Sequence, residues 1–269
     1  MVADRDRPRV MGIVNTTPDS FSDGGLTFAA EDAIARGVAL VAEGADLLDV
    51  GGESSRPGAD PVSLEEELRR VIPVIEGLAG RLPTPLSVDT VKPEVARRAL
   101  AVGASIVNDI RGLDDPEMAD VVAESGAGVV LMHMRGDPRT MQDDPRYDDV
   151  VAEVLAMLAD RVERAERRGI TRDRIAIDPG IGFGKTFDHN LMLLRNLDRF
   201  ASLGCALLVG VSRKGFLGTI TGRARNDRAT ATAVCSLAAA IRGAGIVRVH
   251  DVGPMVDAVK VWSAVEGWP

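Results

Sequence analysis

Three short apolar runs in this chain each end in a side chain that can recognise a polar ring. They read L-S-V-D to Asp89, I-V-N to Asn108 and I-A-I-D to Asp178. An aspartate accepts from adjacent N–H groups, and an asparagine both donates and accepts. Together they suit a flat heterocycle with amino and amide edges, and Lys214 can donate to a ring carbonyl. A second set, Asn15, Ser55, Arg56, Arg248 and His250, suits a phosphate and a divalent cation. Taken alone, Arg56 or Arg248 reads as a surface salt bridge. Asp49 lies inside an apolar run and reads as an interior charge held by hydrogen bonds. His133 reads equally as a satisfied buried histidine or as a functional one, and His189 as a helix cap or surface residue.

The densest signal is Ile175 to Lys185, I-A-I-D-P-G-I-G-F-G-K. Ile175 to Ile177 marks a strand buried on both faces. Asp178 puts a charge at its end, Pro179 stops the ladder, and three alternating glycines allow a ligand to approach the backbone. The tail G-F-G-K-T is not a P-loop, since Pro179 stands where that motif needs its first glycine. The three histidines lack zinc-ligand spacing, and neither Ser54 nor Ser55 sits in a nucleophile elbow.

These residues need elements that bring them together. Strands are expected at Val10–Val14, Leu47–Val50, Leu86–Val88, Ile106–Val107, Gly128–Met132, Ile175–Ile177, Ala206–Val209 and Ile246–Val249. Helices are expected between them: Ala29–Glu43, Ser63 to about Leu78, one opening at Pro93, one at Asp115-Pro116, Val150–Arg168, Asn190–Leu203 and Arg228–Arg242. A last one runs from Pro254 through Met255–Val265. Eight strands alternating with helices in 269 residues imply an α/β fold, a single (β/α)8 TIM barrel spanning one domain with its core at about 10–265. An open doubly wound sheet would show a Gly-rich turn after the first strand, which is absent. In a barrel the carboxyl ends of the strands converge on one face, and that face carries the active site.

Composition agrees. Aromatics make up 3% of the chain, so the core must be built from Val, Ile, Leu and Ala, which suit covered parallel strands. The net charge of −8 disfavours a nucleic-acid binder, so anionic substrates need local cations. Cys205 and Cys235 both lie in apolar runs and read as small buried hydrophobes of a reducing compartment, hence a cytoplasmic location. The first residues lack the apolar stretch of a signal peptide, and no run reaches the ~18 apolar residues of a membrane span.

Over residues 10–265 the chain resembles the dihydropteroate synthase family. The segments that carry the resemblance are V-N-T-T-P-D-S-F-S-D-G-G, G-G-E-S-S-R-P-G, S-V-D-T, V-N-D-I, V-L-M-H, D-P-G-I-G-F-G-K, V-S-R-K-G-F-L-G and R-V-H-D-V, in that order. The resemblance implies condensation of 6-hydroxymethyl-7,8-dihydropterin diphosphate with 4-aminobenzoate to 7,8-dihydropteroate and diphosphate, by dissociative substitution. It implies sulfonamides as competitors of 4-aminobenzoate, Mg2+ as cofactor and a homodimer as the assembly. By motif, Asp89, Asn108, Met132, Asp178, Phe183 and Lys214 would hold the pterin. Asn15, Ser55, Arg56, Arg248 and His250 would bind diphosphate, with Asn15 also a magnesium ligand. Phe21, Ser22, Pro57, Ser212 and Gly215 would shape the aminobenzoate site, and Asp89, Lys214, Asp23 and Arg56 would carry the catalysis. Two departures stand out. Ser55 replaces a threonine common in the family, keeping the hydroxyl. Gly215 follows Lys214 where some relatives have serine, so the aminobenzoate carboxylate is expected on backbone N–H groups where the next helix begins. Two rivals remain at this level. A pterin-barrel methyltransferase would share Asp89, Asn108 and Asp178, with less need of the Thr16–Gly25 and Ser54–Gly58 loops. A pterin-binding regulator without activity would not need Lys214, Arg248 and both loops.

Overall fold

Alternation along each strand divides the chain into two apolar populations, and this division builds the site. The computed structural model describes residues 7–16, 26–56 and 58–266, with the side chains of 26–29 left aside. Eight parallel strands close a barrel in sequence order: β1 (Arg9–Asn15), β2 (Leu47–Gly51), β3 (Leu86–Asp89), β4 (Ile106–Asp109), β5 (Gly128–Met132), β6 (Ile175–Asp178), β7 (Ala206–Val209) and β8 (Ile246–Val249). Closure is made by β8 against β1, with Arg9 beside Ile246 and Met11 beside Arg248.

Successive strand side chains point to opposite faces. One parity, including Val10, Leu48, Val50, Val88, Val107, Leu131, Ile177 and Val247, packs in the large core shared with the helices. The other parity places Met11, Leu47, Ile106, Val130, Ala176, Leu208 and Ile246 in a separate cluster, the plug inside the barrel. Two residues further along the same strands come Ile13, Asp49, Asn108, Met132, Asp178, Gly210 and Arg248. The interior is thus apolar below and polar above, and the polar layer sits at the carboxyl ends. The expected barrel is the observed one.

Nine α-helices cover the barrel among the described residues: α1 (Leu26–Ala42), α2 (Leu64–Ala79), α3 (Pro93–Ala101), α4 (Pro116–Ser125), α5 (Val150–Arg167), α6 (Phe187–Arg195), α7 (Gly215–Thr221), α8 (Ala229–Ile241) and α9 (Val252–Glu266). Helix α5 illustrates the cause. Asp149 caps it by accepting from the N–H groups of Val151 and Ala152, and Val150, Val154, Leu158 and Val162 recur every fourth residue on the buried side. Each such side chain contributes about 1.5–3 kcal/mol when removed from water.

Two expectations need correction. The single helix expected over Asn190–Leu203 is instead α6 followed by a 3-10 segment, Leu197–Leu203. Thr186 and His189 cap α6 reciprocally, which starts it earlier, and Asn196 interrupts it. Helix α7 is anticipated in the sequence reading only by its start after Lys214, with no extent given to it. Its G-F-L-G-T-I-T composition, with two glycines and three β-branched residues, has low helix propensity. Buried Phe216 and Leu217 hold it in place.

Candidate active site

A cavity of about 680 Å³ opens at the carboxyl ends of the strands. It is lined by Asn15, Ser55, Arg56, Asp89, Asn108, Met132, Asp178, Phe183, Ser212, Lys214, Gly215, Arg248 and His250. These are all the expected site residues that fall within the described part of the chain. Phe21, Ser22, Asp23 and Pro57 lie outside the described residues.

The floor is an ion network. Arg248 Nε donates to Asp49 Oδ2 at 2.6 Å, and its Nη2 donates to Asp89 Oδ2 at 2.7 Å. Asn108 Nδ2 also donates to Asp49 Oδ2, at 3.0 Å. Asp49 is fully buried, and its Oδ2 accepts from both Arg248 and Asn108. Sequence reasoning grouped Arg248 with the anion-binding residues. The parity of β8 aims it inward, where it joins the two carboxylates and lines the same cavity as Asn15, Ser55, Arg56 and His250. Asp89 is pushed up to about 7, because burial and its neighbour Asp49 outweigh the pull of Arg248. Asn108 has its amide nitrogen committed to Asp49, which leaves its oxygen to face the cavity as an acceptor.

Across the floor stands a second pair. Burial raises the Asp178 carboxyl above its ordinary range, against the opposing charge of Lys214, and its Oδ1 accepts from Gly180 N–H at 2.7 Å. Burial pushes Lys214 down to about 8, with Asp178 resisting. The Lys214 ammonium donates to the Ile181 carbonyl and lies 4.6 Å from the centre of the Phe183 ring. That geometry is a cation–π contact.

The Gly180–Gly184 loop is pinned from several sides. A Cβ on Gly180 would lie 1.9 Å from the His133 carbonyl oxygen, and φ is +66° there. On Gly184 it would lie 2.6 Å from the Arg135 carbonyl oxygen. Only glycine permits either approach. Gln142 Nε2 donates to the Gly182 carbonyl at 2.7 Å, and Gly182 N–H donates to Asn190 Oδ1 at 2.7 Å. The Tyr147 hydroxyl donates to the Gly184 carbonyl at 2.8 Å. Beneath the loop, buried Lys185 donates to the Phe183 carbonyl at 2.9 Å and stands 2.9 Å from His133 Nδ1. Burial drives Lys185 well below its ordinary range and His133 down to about 3. His133 is therefore a satisfied interior residue, one of the two readings its sequence allowed. His189 is the helix cap, accepting from Thr186 N–H at 3.2 Å.

The anion-facing rim is set by the β2 and β8 loops. Lys92 bridges Glu53 and buried Glu67, and Arg70 Nη1 donates to the Gly52 carbonyl at 2.9 Å, so the base of the Ser54–Arg56 loop is fixed. Further out, Gly58 N–H donates to the Pro138 carbonyl at 3.1 Å, which joins this loop to the one after β5. Arg213 pairs with Asp251 (Nε to Oδ2, 2.9 Å) and holds the β7 and β8 loops together. Gly215 is the first residue of α7, as expected. Sequence reasoning missed Lys185, Lys92, Gln142 and Arg213. Two of them carried a signal: Lys185 as the last residue of the glycine-rich stretch, and Arg213 as a member of V-S-R-K-G-F-L-G.

Known proteins can now be set beside this geometry. Residues 11–250 match the family model described as pterin binding enzyme. The dihydropteroate synthase of Escherichia coli is 48% identical over 261 residues, covering 97% of this chain and 93% of its own. The chain belongs to the dihydropteroate synthase family. Two solved structures of the Xanthomonas albilineans synthase align over 98% of the chain. One, with 4-aminobenzoic acid, has a TM-score of 0.93 at 54% identity and is covered over 95% of its length. The other, in complex with 7,8-dihydropteroate, has a TM-score of 0.89 at 50% identity and is covered over 96%.

Proposed function

We propose that the chain is an enzyme that condenses 6-hydroxymethyl-7,8-dihydropterin diphosphate with 4-aminobenzoate, giving 7,8-dihydropteroate and diphosphate for folate synthesis. One observation carries this reading: a single cavity joins a floor of ring-binding groups to a rim suited to an anion. The Xanthomonas relative is solved with the acceptor substrate and with the product of this reaction. A methyltransferase has no use for the rim. The test is diphosphate release with both substrates present, with 4-aminobenzoate omitted as the control.

The reaction divides between the two halves of the site. The pterin lies on Met132 and Phe183, with its N–H edge on Asp178 and the Asn108 oxygen, and its carbonyl on Lys214. The exocyclic C–O bond breaks first, and its electron pair leaves with diphosphate. The ring system takes up the positive charge, and Asp89 stands nearby to stabilise it as a carboxylate. The arylamine lone pair then closes the C–N bond, and the amine gives up a proton. Neither Cys205 nor Cys235 lines the cavity, so no thiol stands there to form a covalent enzyme intermediate, which suits this route.

Magnesium fits the rim as part of a substrate complex. Among the described residues no group of three or more His, Cys, Asp or Glu is placed to hold a metal. Asn15, at the end of β1, lines the cavity, and its amide oxygen is the atom that would hold the ion. Mg2+ commonly takes few protein ligands and completes its shell with phosphate oxygens and water. When bound, it supplies positive charge to the departing diphosphate. Chelation by EDTA should lower turnover, and added Mg2+ should restore it.

The carboxyl and ammonium on the floor set a pH dependence for pterin binding. A further pterin N–H, beyond the edge held by Asp178 and Asn108, favours the ionised Asp89, so binding releases a proton below about 7, where free Asp89 is protonated. A pterin carbonyl favours charged Lys214, so binding takes up a proton above about 8, where free Lys214 is neutral. Affinity should rise as pH climbs to about 7 and fall again beyond about 8. Calorimetry in buffers of different ionisation enthalpy reads both protons. A flat profile would remove these two groups from the pterin contact.

Arg56 is exposed on the rim and makes no ion pair among the described residues. Arg56→Ala should lower kcat by about tenfold or more while changing pterin affinity by roughly twofold at most. Unchanged turnover would take the β2 loop out of the reacting complex. A homodimer is the assembly we infer, supported by exposed Ile220, Val234, Ile241, Val261 and Val265 on the neighbouring helices α7, α8 and α9. The scarcity of cysteine, with Cys205 and Cys235 both free thiols, supports a cytoplasmic setting.

A further inference from the structure

Ser212 follows β7 and His250 follows β8, so two adjacent strands set them side by side. Two hydrogen bonds join them. The His250 backbone N–H donates to Ser212 Oγ at 3.0 Å, and Ser212 Oγ lies 2.8 Å from His250 Nδ1. A hydroxyl has one proton and two lone pairs. The His250 N–H takes one lone pair. Ser212 is buried, and among the described residues Nδ1 is the one acceptor its proton reaches. Were Nδ1 protonated, the serine proton would be buried without a partner, which is costly. The hydroxyl therefore donates to Nδ1. Burial, Arg248 and Arg213 hold His250 down to about 3, so the ring is neutral. A neutral imidazole whose Nδ1 accepts carries its proton on Nε2. Nε2 has no partner among the described residues, and the ring lines the cavity beside Arg248.

We infer that Ser212 is a positioning residue: it locks His250 in the Nε2–H tautomer, so that the imidazole meets the leaving diphosphate as a neutral hydrogen-bond donor. In the opposite tautomer Nε2 would turn a lone pair toward the phosphate oxygens, and the contact would be repulsive. This separates Ser212 from the aminobenzoate contact that the family resemblance suggests for it. It rests on the synthase reading for the identity of the anion, though not for the tautomer.

The chain has three histidines, so heteronuclear NMR of isotope-labelled protein resolves each ring, and His250→Gln assigns the one in question. The wild-type His250 ring should show an unprotonated Nδ1. Ser212→Ala should shift it toward the other tautomer, lower kcat about tenfold, and leave the KM for 4-aminobenzoate within about twofold. Ser212→Thr, which keeps the hydroxyl, should restore tautomer and kcat together. In a His250→Gln background, Ser212→Ala should cost nothing further. A protonated Nδ1 in the wild-type spectrum overturns the inference without any variant. So does a Ser212→Ala protein with raised aminobenzoate KM, unchanged kcat and unchanged tautomer. If wild-type protein releases no diphosphate from the two substrates, the functional reading fails, and the ring spectrum still decides the tautomer.

Discussion

Replacing Asp178 by alanine should weaken pterin binding by about 3 kcal/mol, a factor of roughly a hundred. Two losses add up. The pterin N–H groups lose a charged acceptor, and Lys214 loses the carboxylate that resists its deprotonation. A third effect is local, because Asp178 Oδ1 also accepts from Gly180 N–H. Asp178→Asn separates these effects. Its amide oxygen can keep the Gly180 contact, while its NH2 opposes the pterin donors. The asparagine variant should therefore keep the loop but bind pterin poorly. Titration calorimetry with a pterin ligand measures both variants. Wild-type affinity in the alanine protein would mean that the ring binds somewhere else.

The second large effect is expected at Arg248. Arg248→Met leaves Asp49 and Asp89 facing each other with no cation between them. Stranding a buried charge costs about 3–5 kcal/mol, and the partial exposure of the Arg248 side chain at the cavity places this case at about 3. Urea unfolding should report that loss. Asp89 should then rise beyond about 7 and stay protonated at neutral pH, so turnover should fall with stability. Adding Asp49→Asn removes the stranded charge and should recover part of the stability without recovering turnover. A single variant as stable as the parent would show that the network is not holding the barrel mouth together.

The barrel and its polar upper layer were legible in the sequence because parallel strands leave long apolar runs, and their terminal residues break the pattern. Asp89, Asn108 and Asp178 stood out for that reason. What the pattern hides is pairing between residues far apart in the chain. Arg248 and Asp49 are 199 residues apart, and no local rule joins them. Once the barrel closes, inward parity on β2 and β8 puts both in one layer. Lys185 and Ser212 were visible as residues but not as partners of His133 and His250, since each pair meets only across neighbouring strand ends. The extent of helix α7 was hidden for a different reason. Tertiary burial of Phe216 and Leu217 overrides a composition that disfavours helix.

Tyr147 is the one tyrosine in the chain, and its hydroxyl is fastened to the Gly184 carbonyl. A fluorinated tyrosine would therefore give a single resonance, placed at the root of the segment that carries Phe183. The molecule comes with its own gauge for when the pterin platform is occupied, and no cysteine or tag has to be engineered to read it.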